Sequence, residues 1–222
     1  MNQTLIRLYD RFVAVATHFD GIAALLLRLI LGPVLIAAGW EKLSGDNWFG
    51  AVQDSFPFPF NVIPPELSWS LAAWTEFLGG ILLLLGLGTR LIAIPLAVTM
   101  FVAAWSVHLP NGWPAIAPSN PPALCISGTP AHAESNLFER YIKCTNVNER
   151  TVEASERLAR AKSILREHGN WGYLNGSGAI VKLNSGIEFA AIYFAMLLAL
   201  VMIGGGRYLS LDYYLRRLFR RD

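Results

Sequence analysis

Charge is what this sequence is short of. Only 15% of its residues are Asp, Glu, Lys or Arg, against about 25% in an ordinary soluble domain. Hydrophobic residues reach 54% and mean hydropathy is +0.40, so the surplus points to lipid rather than to a larger soluble core. The net charge of +2 is too small for the basic field that nucleic-acid binding requires. Cysteine is scarce too: two residues exclude a disulfide-dense scaffold and any four-thiolate metal site. Four methionines without a Met-rich tract give little support to copper binding through thioethers. No Glu-x-x-His pair occurs, which argues against a ferritin-type di-iron site. A secretory leader is not expected either, because Arg7, Asp10, Arg11 and His18 interrupt the first apolar stretch.

What is abundant comes in long runs. Spans are predicted at about 22–40, 68–87, 91–109 and 187–206, each near the roughly 20 residues that cross a hydrocarbon core of about 30 Å. Their internal charges are Arg28 in the first and Glu76 in the second, with His108 ending the third and Glu188 starting the fourth. Before them, Leu5, Leu8, Tyr9, Phe12, Val13 and Ala16 recur at helical spacing, with Arg7, Asp10 and Arg11 off the stripe. This predicts an amphipathic helix over 5–19 lying on the membrane surface.

Basic residues orient the spans. Arg7 and Arg11 precede the first, Arg90 sits in the turn after the second, and Arg207, Arg216, Arg217, Arg220 and Arg221 follow the fourth. The first loop, 43–66, has no Lys or Arg and carries Asp46, Asp54 and Glu66. Both termini and the Gly88–Arg90 turn are therefore expected on the cytoplasmic side. That loop also holds Phe56-Pro57-Phe58-Pro59-Phe60 and Pro64-Pro65. Its prolines block helix and sheet, and its aromatics suit either a plug over the bundle's outer end or a substrate-facing lid.

A polar insertion, 110–184, separates the third and fourth spans and falls on the outer side. Residues 110–130 are rich in Pro, Asn and Ser and read as irregular. A soluble helix is predicted over 148–168, capped by Asn148, stopped by Gly169, with Val152, Ala154, Leu158, Ala161 and Leu165 as its apolar stripe. Asn175-Gly176 and Gly178 suggest a small hairpin or tight loop over 171–183.

A charge inside a span costs about 2.5–3.5 kcal/mol on insertion scales, so Arg28 and Glu76 should face inward and be paired. At about 1.5 Å per residue their levels differ by roughly 9 Å, within an Arg side chain's reach. The pair could be a structural lock on helix register or the polar floor of a quinone, proton or metal site. Glu41, Lys42, His108 and Glu188 all fall at the outer ends of spans and could converge there; snorkelling to the interface is the plainer alternative. Cys125 and Cys144 lie in the insertion, where an oxidising compartment favours a bridge. Closing a loop of about 20 residues would stabilise by roughly 3 kcal/mol. With no Cys-x-x-Cys in the chain, a catalytic dithiol is the lesser alternative. Gly204-Gly205-Gly206 lacks the Lys-Ser/Thr of a phosphate loop and reads as a helix end.

Together these residues make the sequence resemble the DoxX family of small bacterial membrane proteins. The resemblance rests on Arg28-x3-Gly32 through Gly39-x2-Lys42, and on Glu76-x2-Gly79-Gly80 leading to Gly86-x-Gly88-Thr89-Arg90. Glu188 and Gly204-Gly205-Gly206-Arg207-Tyr208-x-Ser210-Leu211-Asp212 close it. The insertion, with His108-x3-Gly112-Trp113 and Glu156-Arg157-Leu158-x3-Lys162-x3-Arg166-Glu167-His168-Gly169-Asn170, resembles a longer subgroup associated with maturation of copper-binding ribosomal peptides. The resemblance implies an inner-membrane protein, in some relatives a subunit of thiosulfate:quinone or thiol-linked oxidoreductases. The expected fold is an all-α integral membrane protein, a four-transmembrane-helix bundle with an N-terminal amphipathic helix and a periplasmic insertion between helices 3 and 4. Two functions follow. One is a membrane redox component, with quinone as candidate cofactor near Arg28 and Glu76, Glu188 as a further catalytic candidate, and a redox partner protein outside. The other is a non-enzymatic membrane partner or transport component of a metal- or copper-peptide-handling system.

Overall fold

The computed structural model describes residues 3–17 and 19–219. His18, Arg220 and Arg221, counted above, lie outside the described residues. Ten helices run in chain order among these residues: α1 Gln3–Thr17, α2 Asp20–Ser44, α3 Pro65–Leu85, α4 Thr89–Ala103, α5 Pro130–Glu134, α6 Leu137–Cys144, α7 Glu149–His168, α8 Trp171–Leu174, α9 Glu188–Ile203 and α10 Leu211–Phe219. The chain divides into two units, one made of residues up to Phe101 together with those from Ile192 on, the other of Val102–Ala191.

Among the described residues, three helices are long and apolar enough to cross a membrane: Gly21–Ser44, Pro65–Leu85 and Thr89–Asn111. The third reaches that length because α4 continues through one π-helical turn, Ala104–His108, and a 3₁₀ turn, Leu109–Asn111. The fourth expected span is shorter than its sequence suggested. α9 has 16 residues, about 24 Å of helix, because Gly204 takes a φ of 76° and the chain leaves the helix there. Outward-facing Leu198, Met202 and Ile203 of α9 are exposed while Leu197 and Leu200 are fully buried. A helix that is apolar all round suits either a protein core or a membrane interior.

The core of the first unit is built from Ala24, Leu31 and Leu35 of α2, Leu83 of α3, Ala93, Leu96, Ala97 and Met100 of α4, and Leu197 and Leu200 of α9. Glycines let α2 and α3 touch. A Cβ on Gly39 would stand 2.4 Å from the Phe77 nitrogen, and one on Gly80 would stand 2.8 Å from the Gly32 carbonyl oxygen. Small residues at such crossings are how helices pack without a hydrophobic drive between them. Over the start of α3 the first loop forms an aromatic knot: Phe49 packs edge-on against Trp69 (4.9 Å between ring centres) and Phe56 (5.1 Å), and Phe56 is buried.

In the second unit the two ends of the insertion are zipped together. Ile116 and Leu183 form an isolated antiparallel bridge, and Asn184 Nδ2 donates to the carbonyls of Asn111 (2.7 Å) and Pro114 (2.8 Å). Of the two forms expected over 171–183, hairpin or tight loop, the structure has tight turns, with the Gly176 amide bonded to Tyr173 and that of Gly178 to Asn175, and no hairpin among the described residues. α8 occupies the first residues of that stretch, and Leu183 bridges to residue 116 instead. The Asn184 latch carries no local signal, since its partners are backbone atoms some seventy residues away. α7 starts after Asn148, whose side chain accepts the Thr151 amide (2.9 Å), and stops at Gly169. Its buried face is Thr151, Ala154, Ser155 and Leu158; Ala161, expected in the stripe, is exposed. Cys125 and Cys144 are bonded, with Cα atoms 5.3 Å apart.

Candidate functional site

Arg28 sits in the apolar stretch of α2 and is fully buried, so every N–H of its guanidinium needs an acceptor. It finds five backbone carbonyls. Nε donates to Leu83 (2.6 Å), Nη1 to Gly205 (3.0 Å) and Tyr208 (3.2 Å), and Nη2 to Leu84 (2.6 Å) and Leu209 (2.6 Å). Two of these carbonyls belong to the last turn of α3, where the helix dipole is negative and carbonyls lack helical partners. α3 ends there with Gly86 at φ 63°, its amide bonded to Leu83 and that of Leu87 to Leu82. This is the glycine-terminated helix end that reverses the chain. A side chain on Gly86 would collide with Arg28 Cζ at 2.7 Å. The other carbonyls come from the Gly204–Leu209 segment, which Asp212 pins in place. Asp212 Oδ1 accepts the Gly88 amide (2.7 Å) and Oδ2 the Thr89 amide (2.9 Å), an anion at the start of α4. Its own amide donates to Gly86 (2.9 Å).

The expected Arg28–Glu76 pair is therefore corrected: Arg28 spends all its donors on backbone, and Glu76 takes a different cation. Lys42 Nζ lies 2.6 Å from Glu76 Oε2. A difference in level of roughly 9 Å, within an arginine's reach, had suggested Arg28 as the partner. However, the close approach at Gly39 sets Lys42, one turn further on, against Glu76, the neighbour of Phe77. The carboxylate side chain is 5% exposed and the ammonium 20%. Among the described residues the further acceptor near Nζ is the Ala38 carbonyl, at 3.5 Å, so an ammonium with three protons keeps capacity for another partner. Aromatic residues neighbour both partners along their helices. Phe77 packs against Trp40 (5.9 Å) and Trp74 (6.2 Å), and Trp69 Nε1 donates to the Lys42 carbonyl (3.0 Å).

The remaining residues grouped at the outer ends have separate partners. His108 Nδ1 donates to the Ser185 carbonyl (2.7 Å), and Glu188 Oε2 accepts the Ala115 amide (2.9 Å). Both contacts belong to the zipper that closes the insertion. Glu41 is exposed. No group of three or more His, Cys, Asp or Glu placed to hold a metal occurs among the described residues.

Membrane-length apolar helices, a core shared by α2, α3, α4 and α9, and buried charges neutralised inside them define a helical membrane protein. Residues 23–109 match the model of the DoxX family. The match takes in Arg28, Lys42, Glu76 and the Gly86–Arg90 turn and ends before the insertion. A Haemophilus influenzae protein described as uncharacterized is 40% identical over 94 residues, which is 42% of this chain and 62% of the relative. The chain thus spans less than two thirds of that curated relative. No solved structure matches it significantly.

Proposed function

We propose that the chain is a multi-pass component of a bacterial inner-membrane redox system, with a quinone-binding site at Lys42 and Glu76. In this reading α2, α3, the α4 extension and α9 form a four-helix bundle. Both termini are cytoplasmic and the insertion is periplasmic. The ends of α2, α3, α4 and α9 gathered around Arg28 carry Arg90 and Arg207, which is the charge bias of a cytoplasmic face. The observation that carries the site is the Lys42–Glu76 contact of 2.6 Å inside membrane-length helices. An ionisable pair at such depth marks a functional position by default. A quinone needs a hydrogen-bond donor for its carbonyl, a carboxylate near enough to exchange protons, and flat apolar walls. Lys42, Glu76, and the rings of Trp40 and Phe77 fit those needs. The quinone would supply the two-electron chemistry; Lys42 would orient it, and Glu76 would hold or release a proton at Oε2. Arg28 has no part in the site, since its donors are already used.

Titration of the purified protein in lipid nanodiscs with a short-chain ubiquinone, followed by quenching of tryptophan fluorescence, tests this. Lys42→Met and Glu76→Gln should each weaken binding about tenfold or more, the worth of a charge-assisted hydrogen bond. Saturable wild-type binding that neither variant alters would remove the pair from the site.

One observation favours a second reading, a non-enzymatic membrane partner of a metal- or copper-peptide-handling system. Leu137, Phe138, Tyr141 and Ile142 of α6 are 61–79% exposed, an apolar face of the kind that marks a protein contact. Absence of any saturable quinone binding by the wild type would move the weight to it.

A further inference from the structure

The disulfide of the insertion lies in surroundings that a simple staple does not need. Cys125 closes the 3₁₀ turn Ala123–Cys125 and Cys144 closes α6. These same two elements are joined a second time, through α5. His132 Nδ1 donates to the Leu124 carbonyl (2.8 Å), and Arg140 Nη1 donates to His132 Nε2 (3.2 Å). Leu124 precedes Cys125, and Arg140 stands one helical turn before Cys144, where side chains four apart are neighbours. A polar relay thus runs parallel to the covalent bond, from the residue beside one cysteine to the residue stacked on the other. Thr129 anchors the intervening loop by donating to the Ala123 (2.7 Å) and Ile126 (2.9 Å) carbonyls.

Arg140 carries the second observation. Its Nε is buried and has no hydrogen-bond partner, an uncommon state for a guanidinium proton. A cation with a spare donor one turn from Cys144 supplies what a thiolate there would require, and it opposes the unfavourable negative end of the α6 dipole. Both cysteines are half-buried, so their sulfurs are neither sealed in a core nor at the tip of a loop.

We propose that Cys125–Cys144 is a thiol–disulfide exchange site that takes two electrons from a dithiol protein, with Arg140 as the positioning residue. A thiolate of the partner attacks Sγ of Cys125, the Cys125–Cys144 bond breaks, and Cys144 leaves as a thiolate beside Arg140. The partner's second thiolate then attacks its own sulfur in the mixed disulfide and expels Cys125 as a thiolate. The partner departs as a disulfide, and two protons convert the two cysteine thiolates to thiols. The reverse reaction, with the partner's disulfide as oxidant, restores the bond. This goes beyond the quinone site and does not rest on it.

The test uses the full chain in nanodiscs, with reduced thioredoxin as the dithiol probe and maleimide mass-tagging as the readout, and no quinone present. The wild-type bond should open while circular dichroism keeps its helical signal, and should re-form with oxidised thioredoxin. Arg140→Gln should slow opening by about threefold to tenfold, the effect of a poorer leaving thiolate, and Arg140→Lys should restore the rate. A bond that opens only when the chain is denatured, or whose opening costs helical signal, would overturn the proposal in favour of a staple. So would an Arg140→Gln variant that exchanges at the wild-type rate. Should that variant fail to fold, the wild-type and Arg140→Lys rates decide: both must open in the folded state.

Discussion

Arg28 and Glu76 face the same cost of burial and meet it in different ways. The arginine is enclosed by five backbone carbonyls drawn from the end of α3 and the Gly204–Leu209 segment. The glutamate rests on one lysine, which is itself one-fifth exposed. A saturated charge is a structural keystone: nothing can be added to it, and much is lost if it goes. A charge held by one exchangeable partner can be shared with a ligand. The contrast gives the Arg28 end of the first unit a structural role and leaves the Lys42 end as the place where the proposed chemistry would occur.

The strongest way to break this contrast is Arg28→Met. Five carbonyls would lose a buried donor, at about 1 kcal/mol or more each, so the loss should be about 4–5 kcal/mol or more. Arg28→Lys should recover less than half, since an ammonium has three protons and no planar fork. Melting in detergent within a few degrees of wild type would contradict the keystone role. Next in size is Gly39→Val, which sets a side chain against the α3 backbone. We expect about 3 kcal/mol lost and weaker coupling of Lys42 to Glu76. Unchanged stability would show that this crossing is not what sets the register.

The Lys42 end should be gentler. Glu76→Ala leaves a half-buried ammonium alone and should cost about 2 kcal/mol, whereas Lys42→Met with Glu76→Met should fall within about 1 kcal/mol of wild type. A double variant as unstable as Arg28→Met would erase the distinction between the two ends. The smallest effect belongs to Asp212→Ala, which frees the Gly88 and Thr89 amides. About 1–2 kcal/mol is expected, as for other lost helix N-terminal acceptors, and a neutral result would mean that solvent replaces it.

Local elements were legible from residue order. α7 begins after Asn148 and ends at Gly169 as expected, because a cap and a stop act on amides and carbonyls within one turn. Three of the four expected spans match membrane-length helices within a few residues, because a long apolar run is its own signal; the fourth is a 16-residue apolar helix. The partners of Arg28 were not legible, because a carbonyl acceptor belongs to every residue and marks none. Nor was the choice between Arg28 and Lys42 as partner for Glu76. Depth along a helix follows from counting residues, but rotation and closeness follow from where glycines let two backbones meet. Glu188 and His108 show the same limit, since both serve the zipper at residues 111–117 and 182–188.

Residue order by itself therefore determined that this chain belongs in lipid, where helices start and stop, and which charges would be costly. Tertiary structure alone decided how each charge is neutralised. Hydrogen bonds to backbone and contacts across helices depend on three-dimensional registers that no local window contains. That decision separates a sealed arginine from a lysine–glutamate pair still able to take a ligand.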